Sequence, residues 1–191
     1  MQREPRPPPK RNVSRRVALG WLGLALCPLA AAIARLPGEV AAELPGAQLA
    51  GSGRLSYFGL RIYESRLWVS EGFRADAFEK HPFAIEIEYL RAFSGRQIAE
   101  RSLTEMQRIG SLPLEQRSTW LAALQRMIPD VAQGDRLTGV HRPGEALRLF
   151  LNGKPLGEWL DAGFAQAFFG IWLSPRTSEP RLRLAMLGSA S

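Results

Sequence analysis

The chain has 191 residues, 46% hydrophobic and 23% charged, with a formal net charge of +7; this fits one folded domain with an appendage and argues against disorder. Residues 1–42 carry seven Lys or Arg against two Glu, a net of +5, while the other 149 residues carry 18 basic and 16 acidic side chains, so the folded part has no basic face for nucleic acid. Cys27 is the single cysteine, and His81 and His141 are the only histidines, so neither a disulfide framework nor a metal site is expected, and no cofactor is implied.

Met1 to Arg16 is rich in Pro and Arg and has no periodic pattern. Val17 to Ala34 is an uncharged, largely apolar run through Trp21, Leu22, Leu24, Leu26 and Leu29, and small residues follow at Ala30–Ala32, Ala32–Ala34 and Val40–Ala42. Positive region, apolar region and small-residue exit describe an export signal, which places the folded part in the periplasm or otherwise outside the cytoplasm. Ser14-Arg15-Arg16-Val17-Ala18-Leu19 is similar to a twin-arginine signal, although a plain positive region accounts for the same pair. The apolar run also approaches the length of a spanning helix, so an uncleaved anchor through Val17–Ala34 is the competing reading; Pro28 and the alanines favour cleavage. Leu24-Ala25-Leu26-Cys27 resembles a lipobox, with Leu26 where a small residue is expected, which adds lipidation at Cys27 as a third reading. A membrane enters as partner only through this segment, if it is uncleaved or lipidated. Residues 1–42 are thus read as signal and linker, and residues 43–191 as the domain.

Glu43 to Ser52 reads as a lead-in. Gly53 to Val69 reads as two strands with a bend or bulge at Gly59, and Ala75–Lys80 as a short helix. Pro82 to Tyr89 alternates strictly: Phe83, Ile85, Ile87 and Tyr89 on one side, Ala84, Glu86 and Glu88 on the other, the pattern of a half-buried strand. Arg91 is the next member of the greasy row. A helix follows, with Ser94 and Gln97 in capping-box position, Ile98, Ser102, Met106 and Ile109 at helical spacing, and Gly110 as its stop. Pro113 to Ile128 is a second helix, with Trp120, Leu121, Leu124, Met127 and Ile128 on one face. Strands follow at Asp135–His141 and Ala146–Leu151, the latter entering a hairpin at Asn152-Gly153. Asp161 caps a third helix holding Phe164, Phe168 and Phe169, with Trp172 just beyond, and Pro180–Leu187 forms a short last one. About six strands, mostly hairpin-connected, and three or four helices grouped in the second half predict an α+β fold, an antiparallel sheet with helices packed on one face.

Four blocks in this order, F-A-I-E-I-E-Y-L-R-A-F-S-G-R-Q-I-A-E-R-S, M-I-P-D-V-A-Q-G-D-R-L-T-G, L-N-G-K-P-L-G and D-A-G-F-A-Q-A-F-F-G-I-W-L-S-P-R-T-S, resemble the chalcone isomerase-like domain of bacterial exported proteins, over roughly Leu49 to Gly188. The resemblance implies an open-faced β-sandwich, with helices laid across a long antiparallel sheet. Plant members close a flavanone ring with an Arg on an early strand, a Thr on the next, and a Tyr and a Lys near the start of a helix. No Arg stands at the matching place around Gly46–Gly51; the Thr position falls near Phe58, the Tyr position near Ile98, and only a cation near Arg101 is retained. The catalytic set is therefore not carried over. Superfamily members that lack it resemble fatty-acid-binding proteins, which hold a carboxylate with an Arg and a Tyr.

Arg91 with Tyr89 is the leading anchor for such an acid, since a guanidinium matches a carboxylate bidentately. The plainer alternative is an Arg91 that reaches solvent or pairs with Glu100. Arg101 adds a second cation, or is simply solvated on an amphipathic helix. Tyr63 and Thr138 are further donors; an interfacial ring and an ordinary strand threonine are the alternatives. His141, beside Arg142-Pro143-Gly144, reads as surface. No catalytic constellation is legible. The expected function is a non-catalytic binder of a small hydrophobic or fatty acid in a sheet–helix cleft. An isomerase on a flavonoid-like or other small hydrophobic substrate would need an acid–base pair in that cleft. A structural or protein-interaction domain of the cell envelope would have the cleft filled.

Overall fold

The computed structural model describes residues 35–110 and 112–188. The run read as an export signal, its arginine pair and Cys27 lie outside the described residues. The elements are α1 (Gly38–Glu43), β1 (Gln48–Tyr57), β2 (Leu60–Val69), a 3₁₀ turn (Ala75–Lys80), β3 (Phe83–Tyr89), α2 (Gly95–Ile109), α3 (Leu114–Met127), β4 (Arg136–His141), β5 (Leu147–Leu151), β6 (Lys154–Trp159), α4 (Ala162–Leu173) and α5 (Pro180–Leu187). The six strands form one antiparallel sheet in sequence order, β1 to β6. Residues 34–191 are a compact unit that contains the whole sheet and both hydrophobic cores, as an independently folding domain requires.

Local chemistry sets the helix starts. The Gln97 N–H donates to Ser94 Oγ at 3.2 Å and the Ser94 N–H to Gln97 Oε1 at 3.0 Å, a reciprocal cap worth about 1 kcal/mol. The Phe164 N–H donates to Asp161 Oδ1 at 2.9 Å and opens α4. Gly51 lets α5 lie directly on β1, because a Cβ there would stand 2.4 Å from the Ala185 carbonyl oxygen.

The alternation in β3 is realised in full. Phe83, Ile85, Ile87 and Tyr89 face the helices and join Leu67, Leu149, Phe169 and Met106 in the main core. The opposite row does not face water. Ala84 packs with Val40, Leu44, Trp68, Val140 and Phe150 in a second core on the back of the sheet. Glu86 is buried there, accepting from Trp68 Nε1 at 2.9 Å and Arg66 Nη1 at 3.0 Å. Glu39 in α1 accepts from Thr138 Oγ1 at 2.8 Å and Arg136 Nη2 at 3.1 Å. The packed structure therefore reaches back before Glu43: Val40 is fully buried, α1 lies in the stretch read as linker, and the stretch read as a lead-in holds the last residue of α1, a turn and the start of β1.

The two outer strands are irregular. The pairing of β1 shifts between Leu49 and Gly51, and that of β6, which carries Pro155, shifts at Leu149/Phe150. Among the described residues no helix is long and apolar enough to cross a membrane.

Candidate functional site

A cavity of about 350 Å³ lies between the sheet and the helices, within the usual size of a small-molecule site. Ile85, Ile87, Leu137 and Leu149 form its floor, and Ile98, Phe168 and Leu182 cover it from α2, α4 and α5. Gly139 keeps the floor low, since a Cβ there would press on the Phe169 ring at 3.2 Å. Apolar walls of this kind select a ligand with a hydrocarbon body.

The polar groups gather around Tyr63, Tyr89, Arg101 and Glu105, all of which line the cavity. Tyr63 and Tyr89 are directly paired across β2 and β3, with ring centroids 6.3 Å apart and edge to face. Trp172 Nε1 donates to the Tyr63 hydroxyl oxygen at 3.0 Å, which leaves the Tyr63 O–H free to donate. The Tyr89 hydroxyl makes no hydrogen bond among the described residues. Burial raises the pKa of Tyr63, against the opposing pull of the Trp172 hydrogen bond, and burial also raises that of Tyr89. Both phenols are thus neutral donors at ordinary pH rather than bases.

Arg101 Nη2 lies 2.7 Å from Glu105 Oε1, one helical turn on; the Arg101 side chain is 63% exposed and the Glu105 side chain 8%. The second Glu105 oxygen is buried with no hydrogen-bond partner, so the carboxylate has unused acceptor capacity beside two unused donors. Glu179 also lines the cavity, which sets one cation against two carboxylates.

Tyr63, Tyr89 and Arg101 are therefore brought together, whereas Arg91 and Thr138 lie elsewhere. β3 ends at Tyr89, and beyond it Leu90 N–H bonds the Ile62 carbonyl in a bend. The strand phase is lost there, and Arg91 is exposed, outside the cavity lining. Glu100 does not hold it, being paired with Arg96 at 2.7 Å. Thr138 has the wrong parity: Leu137 and Gly139 line the cavity, and Thr138 is on the back face bonded to Glu39.

His141, read as surface, is buried against Phe83 and Phe169, with Nε2 3.0 Å from the Glu79 carbonyl oxygen. Burial lowers its pKa. Phe58 caps the β1–β2 hairpin and is not in the lining. Trp172 reads as core ahead of ligand wall, yet its indole N–H reaches the Tyr63 hydroxyl. One site residue was not singled out from the sequence. Glu105 had a signal: it occupies the stripe of Ile98, Ser102 and Ile109, where a helix facing a dry core carries no acid.

The chalcone isomerase-like family model matches residues 33–188. An uncharacterized protein of Haemophilus influenzae is 27% identical over 140 residues, 72% of this chain and 66% of that one, so the match leaves about a third of that relative unspanned. The crystal structure of an Arabidopsis thaliana fatty-acid binding protein superposes with a TM-score of 0.61 at 11% identity, covering 76% of this chain and 89% of that one. That likeness shows the same fold: an α+β open antiparallel sheet with helices.

Proposed function

The chain belongs to the chalcone isomerase-like family, and from that premise we propose that it is a non-catalytic binder of a small hydrophobic acid. One observation carries the reading: an apolar cavity of about 350 Å³ whose hydrogen-bond donors include two neutral phenols and a guanidinium, set beside the Glu105 and Glu179 carboxylates. A carboxylate at this end accepts from the Tyr63 and Tyr89 hydroxyls and from an Arg101 N–H that Glu105 does not occupy, since a guanidinium has five donors. The hydrocarbon body lies on Ile85, Ile87, Leu137 and Leu149. The fatty-acid binding neighbour supports the ligand class through its shared fold.

The same proposal places the domain outside the cytoplasm, carried there by the Val17–Ala34 run. Of the three small-residue exits, Val40–Ala42 falls inside α1, where Val40 is fully buried and Glu39 is ion-paired. Processing at Ala30–Ala34 leaves that helix intact.

An isomerase reading rests on Glu105, which lines the cavity with the two phenols and has one buried oxygen without a hydrogen-bond partner among the described residues, the kind of group an acid–base step would use. Native mass spectrometry of residues 34–191 recovered from a bacterial envelope separates the two. A co-purifying acid, retained in Arg91→Ala and lost in Arg101→Gln, supports the binder. A bare protein that turns over a flavonoid panel, and loses that turnover in Glu105→Gln, supports the enzyme and overturns the binder.

A further inference from the structure

The β1–β2 hairpin ends in Tyr57-Phe58-Gly59-Leu60, and its apolar side chains face water. Phe58 is 89% exposed, Tyr57 58% and Leu60 51%. The remaining strongly exposed large hydrophobics, Leu114, Leu160 and Leu184, are single residues on separate elements, as on any surface. Here three adjoin, with the Tyr57 and Phe58 rings edge to face at 4.5 Å.

The turn backbone makes this choice of residue costly. Phe58 has φ 47° and Gly59 φ 77°, the left-handed pair of a tight hairpin. The β5–β6 hairpin makes the same turn with Asn152 at φ 51° and Gly153 at φ 83°. Asn tolerates this region, and Asn152 uses its amide there: Oδ1 accepts from the Arg136 N–H at 2.9 Å and Nδ2 donates to Asp135 Oδ1 at 2.9 Å. A bulky side chain in the left-handed region costs about 1–2 kcal/mol, and Phe58, 89% exposed, meets it within the fold only through the Tyr57 ring contact. Strain with so small an internal return marks a surface feature.

Position and charge identify the occupant. The hairpin pairs Leu55 with Tyr63 and Ser56 with Arg61, leaving Ile62 as a bulge just below the tip. Leu55 and Ile62 both line the cavity, so the apolar tip rises from its rim. Arg61 is next to Ile62 in sequence and Arg91 follows Leu90, whose N–H bonds the Ile62 carbonyl at 2.9 Å. Both arginines are exposed and neither has an ion-pair partner among the described residues, while Arg54, on the hairpin, is matched by Glu64. Aromatic and aliphatic side chains with unpaired cations beside them fit the interface of a bilayer bearing anionic headgroups.

We infer that the Tyr57–Leu60 hairpin tip, with Arg61 and Arg91, docks the domain on an anionic lipid surface beside the mouth of its cavity. The surface extends the cavity reading by giving an apolar ligand a route from bilayer to cavity, and the two are tested apart. Residues 34–191 are floated with phosphatidylcholine vesicles, with and without phosphatidylglycerol. The expected result is flotation that depends on phosphatidylglycerol, weakened about tenfold or more in Phe58→Asn and about fivefold for each of Arg61→Gln and Arg91→Gln. Asn suits the left-handed turn, so Phe58→Asn folds at least as well, which thermal melting checks. Equal flotation of wild type and Phe58→Asn, or none on either vesicle, overturns the inference. So does a wild-type dimer that Phe58→Asn converts to monomer, since the tip then binds a second copy. Native mass spectrometry of both proteins reports cavity occupancy separately: an empty cavity with intact flotation sinks the binder and leaves the docking surface standing.

Discussion

The two faces of the sheet are built from the same strands and solve opposite problems. On the back, α1 covers a small apolar core and closes it with charge: Glu39 with Arg136 and Thr138, Glu86 with Arg66 and Trp68, Glu43 with Arg142 and Arg148. On the front, four helices span the strands without filling the space, and the polar groups there keep donors and an acceptor unspent. Polar groups largely paired with one another, Arg136 Nε being an exception, hold a surface shut; polar groups left open at an apolar hollow await a ligand. The alternation of β3 sends adjacent residues into the two regimes, Glu86 to the first and Ile87 to the second.

Substitutions should separate the faces, beginning with the back. Glu39→Ala leaves Thr138 without its acceptor and Arg136 with Glu86 alone and is expected to lower stability by about 2–4 kcal/mol, measured by urea unfolding of residues 34–191. Ligand binding per folded molecule should be unchanged. Arg101→Gln is the reverse case. It takes the ion-pair partner from the buried Glu105 carboxylate, at a cost of about 1–3 kcal/mol in stability, and should weaken binding of a long-chain acid about tenfold or more per folded molecule, read by titration calorimetry. Glu105→Gln sharpens the front face further. With a like charge removed, a carboxylate ligand should bind about threefold to tenfold tighter; a weaker titration would show that the ligand offers Glu105 a donor instead of a second negative charge.

The smallest expected effect is a pH dependence at His141. Burial depresses its pKa in the folded state, so the unfolded chain takes up the proton first, from about pH 6.5 downward. The folded state therefore loses stability as pH falls through that range and is indifferent to His141 above it. Thermal melts between neutral pH and the onset of carboxylate titration should show the slope in the wild type and not in His141→Asn. An identical slope in both would remove His141 as its source.

The sequence reading is strongest where the deciding signal is local. The Ser94–Gln97 cap, the Asp161 cap, the Asn152-Gly153 turn and the period of two in β3 each depend on a few adjacent residues, and each was legible. Arg91 and Thr138 were misplaced because side-chain parity is relative: alternation says which residues share a side, not which side the cavity takes or where the strand stops. Tyr89 ends β3, and the row that seemed to continue to Arg91 ends with it. The helix α1 was hidden for another reason. Its Val40-Ala41-Ala42 also suits a signal exit, and its partners Arg136 and Thr138 lie nearly a hundred residues away. Glu105 could have been found, as an acid inside an apolar helical stripe.

The irregular outer strands bear on how the chain behaves in company. An open sheet ends in two rows of backbone groups to which another chain's strand can add. On β6, Pro155 has no N–H to offer and the slip beside it bends the strand; on β1 the shift between Leu49 and Gly51 breaks the row. A second sheet meeting either margin finds an irregular ladder, which disfavours edge-to-edge stacking of one molecule on another.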